Sequence, residues 1–289
     1  MENLSFSGSI ESFNKVFTPF SEELEPIIYT IRKAFQTEMI FLLGVYQANP
    51  KVLGKEYDLL VLVAEQEKRP MHEFESLIYN RCHDFAVVSV SVHRWDTIQH
   101  LLSSGNIFFS QLCKPEKLIY DSGERKLTGP ILINPAIKHA NLLVEFRQML
   151  EKAKGFLLGS SIYKAALEYQ LGAFMLHQAV EQTLNAFLCP LMGLRLQTHN
   201  LQKLLLYTRR LSEALYYAVF PRNSGPEIQL FQLLQKAYIY GRYKNNFQVS
   251  QDNLEILTDR VIFLQEMVSR IFPEKLNLYF EKQNPFIPD

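Results

Sequence analysis

Arg242 and Tyr243 end the segment Ala237-Tyr238-Ile239-Tyr240-Gly241-Arg242-Tyr243, which sets a cation among aromatic side chains at the close of a long apolar stretch. A guanidinium grips a phosphate through two parallel hydrogen bonds, and a tyrosine ring such as Tyr240 or Tyr243 stacks on a base. His177 and Glu181 lie four residues apart in Phe174-Met175-Leu176-His177-Gln178-Ala179-Val180-Glu181-Gln182, so a helix brings both to one face. His199, in Thr198-His199-Asn200-Leu201, adds a group that exchanges a proton near neutral pH. Far upstream, Glu56 and Asp58 alternate with Tyr57 in Lys55-Glu56-Tyr57-Asp58-Leu59, and a strand aims both carboxylates at one side. Carboxylates so paired hold divalent metal, Mg²⁺ above all, against nucleotide phosphates. Gly44 closes the apolar run before them, where backbone amides can approach phosphate, and Lys55 adds a cation.

Each cluster also has a plain structural reading. Glu56 and Asp58 serve equally as solvated residues at a strand mouth. Thr198 suits the N-cap of a helix starting near His199. Arg242 and Glu181 can form a buried ion pair that holds helix register while adding little net stability.

The elements that must carry these residues divide the chain in two. In the first part, a helix is expected from Ser21 to about Phe35, with Ser21 as its cap and Glu22, Glu23 and Glu25 in the first turn. Apolar runs at Met39–Leu43, ending in Gly44, and at Tyr57–Val63 read as buried strands of a sheet covered on both faces. Phe85–Val92 reads as a third strand with one wetter face, and Lys117–Asp121 as an edge strand. Helical spacing marks Pro70 to about Asn80, and Asp96 caps a short helix through Leu102. This gives an α+β domain over residues 1–133, a mixed sheet with flanking helices. Glycine and two prolines between Leu127 and Pro135 break any continuous element. From residue 134 to residue 289 the pattern is helical, with helices near 136–155, 161–188, 199–219, 226–243 and 251–272, and breaks that include Gly159-Ser160. Short connections favour antiparallel neighbours and therefore a helical bundle. The tyrosines and phenylalanines on its third and fourth helices, Tyr238 among them, are read chiefly as core.

Composition narrows the partners. Thirty basic and thirty acidic residues cancel in a chain of 289, so no global field draws it to nucleic acid or anionic lipid, and nothing marks it for DNA. No apolar run approaches the roughly 20 residues that cross a bilayer. The polar start, Met1 to Ile10, lacks a signal peptide's pattern, and Cys82, Cys113 and Cys189 lack ligand spacing. A cytoplasmic protein with free, mostly buried thiols is expected.

Residues 37–95 resemble the nucleotidyltransferase superfamily, in which a strand, a glycine-serine turn and two acids separated by one residue follow in order. The resemblance implies Mg²⁺-dependent transfer of a nucleoside monophosphate to a protein or small molecule, with Glu56 and Asp58 as metal ligands. Two departures stand against it. Val45 occupies the serine position, and the strand Phe85–Val92 holds no third acid, only Asp84 flanking it. Residues 136–272 resemble HEPN domains, on the three separated segments around His177, His199 and Arg242. A small bundle after such an N-terminal domain is also the layout of kanamycin nucleotidyltransferase-type proteins. Many HEPN domains are ribonucleases with an arginine followed within about two helical turns by a histidine. Arg242 fills the arginine position here, but Phe247, Gln248 and Val249 stand where the histidine falls, and no later histidine exists.

The combined resemblance implies a nucleotide- or RNA-binding protein with a degenerate nucleotidyltransferase domain, in a toxin–antitoxin or defence setting, paired as a homodimer through the helical domain. Its nucleotide contacts fall on Gly44, Lys55, His177, Glu181, His199, Arg242 and Tyr243. Binding ranks ahead of catalysis, and nucleotide transfer ahead of RNA cleavage. An active transferase and a ligand-free structural dimer remain the alternatives.

Overall fold

The computed structural model describes residues 21–47, 54–129, 135–220, 224–243 and 247–283. They form two compact units: 21–47, 54–97 and 112–126 in the first, 98–111 and the described residues from 127 onward in the second.

The first unit is built on a four-stranded mixed sheet, β1 (Thr37–Gln47), β2 (Lys55–Val63), β3 (Val87–Arg94) and β4 (Leu118–Asp121), in the order β3-β2-β1-β4. β1 pairs antiparallel with β2 and with β4, whereas β2 and β3 run parallel through the crossover helix α2 (Met71–Cys82). Leu59 to Val63 are wholly buried, as an apolar strand covered on both faces must be. One face carries Tyr57, Leu59, Val61 and Val63 of β2 with Val88 and Val92 of β3. Against it pack Leu24, Ile27 and Ile31 of helix α1 (Ser21–Ala34) and Phe74 and Ile78 of α2. The i, i+3, i+4 spacing in α1 is what buries one stripe and leaves the other wet.

β1 does not stop at Gly44. Val45 and Tyr46 have high β-propensity and continue the pairing with Tyr57 and Glu56, so the strand runs to Gln47. The register shifts between Leu42 and Gly44, and a Cβ at Gly44 would come within 2.7 Å of the Tyr46 hydroxyl. The glycine therefore accommodates a bulge and a folded-back ring. The face of β3 read as wetter is not open throughout, because Ser91 is fully buried.

In the second unit, α3 (Trp95–Ser103), which starts in the first, leads to the short α4 (Ile107–Leu112). The cap of α4 is Asn106, whose Oδ1 accepts the Phe109 amide at 3.0 Å. Long helices follow: α5 (Pro135–Ala165), α6 (Tyr169–Met192), α9 (Gly225–Tyr243) and α10 (Gln251–Gln283), with the shorter α7 (Leu201–Arg209) and α8 (Glu213–Val219) between. α6 is buried on nearly every side from Gly172 to Met192 and packs against α5, α7, α9 and α10. The rings of Phe146 and Phe272 stack at 4.0 Å while Lys164 meets Glu255 at 2.8 Å, so α5 and α10 run antiparallel.

Several boundaries differ from the sequence reading for local reasons. Gly159-Ser160 does not break α5; the bare Gly159 admits Met175 of α6, whose sulfur would be 3.4 Å from a Cβ there. The chain turns instead at Leu167, a non-glycine residue with φ +62°. The expected helix 199–219 is two, because Ser212 caps α8 by accepting the Leu215 amide at 3.3 Å. α10 continues through Pro273 because buried Phe272 and Leu276 anchor both sides of the proline in the core. Among the described residues, no helix is long and apolar enough to cross a membrane. Cys82, Cys113 and Cys189 are free, and the first and last are buried.

Candidate functional site

His177 and Glu181 share one face of the buried helix α6 and are 0% and 2% exposed. The segment before α7 brings His199 to them. His199 Nδ1 donates to Glu181 Oε2 at 2.9 Å, and Gln182 Nε2 donates to Glu181 Oε1 at 3.4 Å. An ionised carboxylate only accepts, so both of its oxygens are satisfied by donors, and a buried charge requires that. His177 Nε2 faces the His199 carbonyl at 3.2 Å, while its Nδ1 faces the Gln178 amide nitrogen at 3.3 Å and lies 4.0 Å from Glu181. A carbonyl accepts and an amide NH₂ donates, so these partners select the neutral Nε2–H tautomer of His177.

His199 itself is half exposed, its side chain at 55%. Its ring stacks on Tyr238 of α9, with centroids 4.2 Å apart and planes 18° apart. The Tyr238 ring also lies 5.1 Å from that of His177. Gln235, one turn earlier on α9, donates to the His199 carbonyl at 3.2 Å and accepts the Leu201 amide at 2.8 Å. The imidazole is thus held by a buried carboxylate at one edge, an aromatic ring on one face and its own tethered backbone. Nδ1 is committed to Glu181, which leaves Nε2 as the ring's other hydrogen-bonding atom. Arg195, exposed, extends the network by donating to Gln182 Oε1 at 3.3 Å.

The cap of α7 is Asn200 rather than Thr198. Its Oδ1 accepts the Lys203 amide at 3.2 Å, and Thr198 Oγ1 instead accepts the Asn200 amide at 3.1 Å. That short turn places His199 ahead of the helix, free to reach back to α6.

Arg242 closes α9 four residues after Tyr238 and so falls on the same helical stripe as Tyr238 and Gln235. The side chains of Arg242 and Tyr243 lie outside the described ones. Gly241 beside them is a point of close helix approach: a Cβ there would meet the Gln170 carbonyl oxygen of α6 at 2.9 Å and Phe174 Cβ at 3.1 Å.

Of the residues singled out in sequence, the structure brings His177, Glu181 and His199 together. Tyr238, expected as a core aromatic, belongs with them instead, as do Gln235, Gln182 and Arg195. The spacing Gln235, Tyr238, Arg242 at i, i+3, i+7 carried the signal for the first two.

The first unit's residues meet different surroundings. Glu56 and Asp58 do share a face of β2, paired with Val87 and Ser89 of β3. Glu56 Oε1 accepts from the Ser89 hydroxyl at 2.5 Å. Asp58 is wholly buried, so the two carboxylates do not jointly face solvent at a strand mouth. Burial pulls the Lys117 ammonium below the usual lysine range and neighbouring Lys114 adds to this, against opposing contributions from Glu116, Cys113 and Asp58. Lys55 Nζ sits 2.7 Å and 2.9 Å from the two oxygens of Glu23, whose carboxyl is held below its usual range chiefly by that hydrogen bond. Tyr57, which also donates to Glu23, is pushed up to about 12 by burial and by that bond. Gly44 pairs with Asp58 inside the sheet rather than in a phosphate-facing turn. Among the described residues, no group of three or more His, Cys, Asp or Glu side chains is placed to hold a metal ion.

The family model of the HEPN domain matches residues 146–271, which contain His177, Glu181, His199, Tyr238 and Arg242. No curated protein matches the chain.

Proposed function

We propose that the helical unit binds a nucleotide or a short RNA segment at the His199–Tyr238 face. One observation carries the reading: a half-exposed imidazole is fixed by a buried glutamate and stacked on a tyrosine, on the stripe of α9 that ends in Arg242. Fixed planar rings suit a base, and an arginine suits its phosphate. His199 Nε2 and Tyr238 contact the base or sugar, and Arg242 takes the phosphate. Tyr243, His177 and Glu181 support that pocket, the last two by holding His199. The HEPN match supports a nucleotide- or RNA-related role, and with it a toxin or defence setting. It also supports a homodimer through the helical unit, for which exposed Ile239, Ile256 and Phe263 on α9 and α10 offer apolar surface.

The first unit, with Asp58 buried and Val45 in place of a serine, serves in this reading as a nucleotidyltransferase-like fold without transfer. Equilibrium titration with AMP, ATP and a labelled oligoribonucleotide tests the proposal. Binding should weaken in Arg242→Ala by about 10- to 100-fold, the loss of a charge-assisted phosphate contact. Absence of binding to all three ligands contradicts the proposal and leaves a structural dimer as the better reading.

A further inference from the structure

The first unit carries a surface depression. Its volume is about 410 Å³, and Tyr29, Arg32, Lys33, Gln36, Thr37 and Tyr120 line it together with Phe35. The site lies where the last turn of α1 meets the start of β1 and the edge strand β4. α1 buries Leu24, Ile27 and Ile31, so Tyr29, Arg32 and Lys33 fall on its outward side. Tyr29 is 61% exposed, a large ring left in water. Lys33 Nζ stands 5.7 Å from the Tyr29 ring centre, and the Arg32 guanidinium lies 4.6 Å over the Tyr120 ring. No carboxylate is among the described lining residues, in a chain whose charges otherwise balance.

Basic residues in a last helical turn commonly neutralise the helix dipole, and that role needs no cavity. Here two cations alternate with two tyrosines around a concavity. The Arg32 guanidinium lies over Tyr120, so the exposed Tyr29 is the ring that offers a planar partner a face, with the Lys33 ammonium beside it. We infer that this depression is a second binding site, for a nucleoside 5′-phosphate unit, either free or within a single RNA strand. The base stacks on Tyr29, and Arg32 and Lys33 take the phosphate. Gln36 and Thr37 add polar groups to the lining. The inference is independent of the helical site, and failure of either leaves the other standing.

The test uses the full chain carrying His199→Ala and Arg242→Ala, so that the helical site does not contribute. AMP, adenosine, inorganic phosphate and a labelled oligo(A) ribonucleotide are titrated, and equal affinity for AMP and the oligonucleotide identifies a free nucleotide as ligand, whereas tighter binding of the oligonucleotide identifies a strand. Adding Tyr29→Ala should weaken AMP or RNA binding by about 5- to 150-fold, the worth of one stacked base, whereas Tyr29→Phe should retain it. Adding Arg32→Gln with Lys33→Gln should flatten the salt dependence of RNA binding by about 0.7 in logarithmic slope, one neutralised phosphate's worth. These side chains are exposed, so the variants should melt with the parent. The inference is overturned if neither AMP nor RNA binds, if binding ignores all of these changes, or if inorganic phosphate binds as tightly as AMP.

Discussion

Gly241→Ala tests the geometry on which the helical site depends. Alanine is the better helix former, and in an open helix interior the change stabilises by about 0.5–1 kcal/mol. At Gly241 the added Cβ would meet the Gln170 carbonyl oxygen at 2.9 Å and Phe174 Cβ at 3.1 Å, and the nearer atom is backbone that cannot swing aside. Overpacking of this kind costs about 1–3 kcal/mol. The net is a destabilisation of about 0–2 kcal/mol, concentrated where α9 approaches α6. Gly155→Ala in α5 is the matched control, since a Cβ there meets nothing within 4 Å and only the propensity gain remains. The two variants should differ by about 1–3 kcal/mol in urea denaturation followed by circular dichroism. Hydrogen exchange should show α9 amides losing protection in Gly241→Ala alone. Because Tyr238 and Arg242 ride on the same end of α9, nucleotide or RNA affinity should fall as well. If both alanines stabilise alike and α9 protection is unchanged, the close approach is not there and the site's rigidity has another origin.

Further outcomes follow from single residues. Asn200→Ala removes the α7 cap and should cost about 1 kcal/mol in the same denaturation assay, while Asn200→Ser should cost little. The phenol of Tyr57 has its folded value raised from 10.0 to about 12, so the stability it contributes is complete below pH 10 and is lost as pH rises toward 12. An alkaline melting series on the parent and Tyr57→Phe should show the parent alone losing that increment. Burial pushes the thiols of Cys82 and Cys189 up to about 11 and that of Cys113 up to about 12, so few thiolates exist at neutral pH. All three should react slowly with a disulfide reagent in the native protein and rapidly in urea; a fast native phase would contradict this.

The pattern of side chains carried the broad architecture because burial imposes periodicity. The unbroken apolar run of β2 is what a doubly covered strand requires, and the repeating apolar positions Leu254, Leu257, Val261 and Leu264 are those α10 buries. Breaks were harder to place. Gly159 is a packing position rather than a stop, Pro273 is bridged by buried neighbours, and the true turn at Leu167 has neither glycine nor proline to announce it. In the helical site, the i, i+4 spacing of His177 and Glu181 predicts a shared face, and their convergence with His199 follows from a loop geometry that spacing does not encode. Tyr238 read as one more core aromatic because stacking depends on which face of α9 meets α6. For Glu56 and Asp58, alternation established the common face but not depth: what covers Asp58 is set by tertiary packing.

The central claim is that the helical site binds a nucleotide and that this binding does not depend on carboxylates of the sheet. Titration of ATP with and without Mg²⁺, on the parent, His199→Ala with Arg242→Ala, and Glu56→Gln with Asp58→Asn, addresses it directly. The account predicts binding to the parent without Mg²⁺, weakened binding in the His199/Arg242 variant, and little change in the Glu56/Asp58 variant provided it folds. Binding that requires Mg²⁺, vanishes in a folded Glu56→Gln protein and ignores Arg242 would contradict the account and restore a metal-dependent transferase.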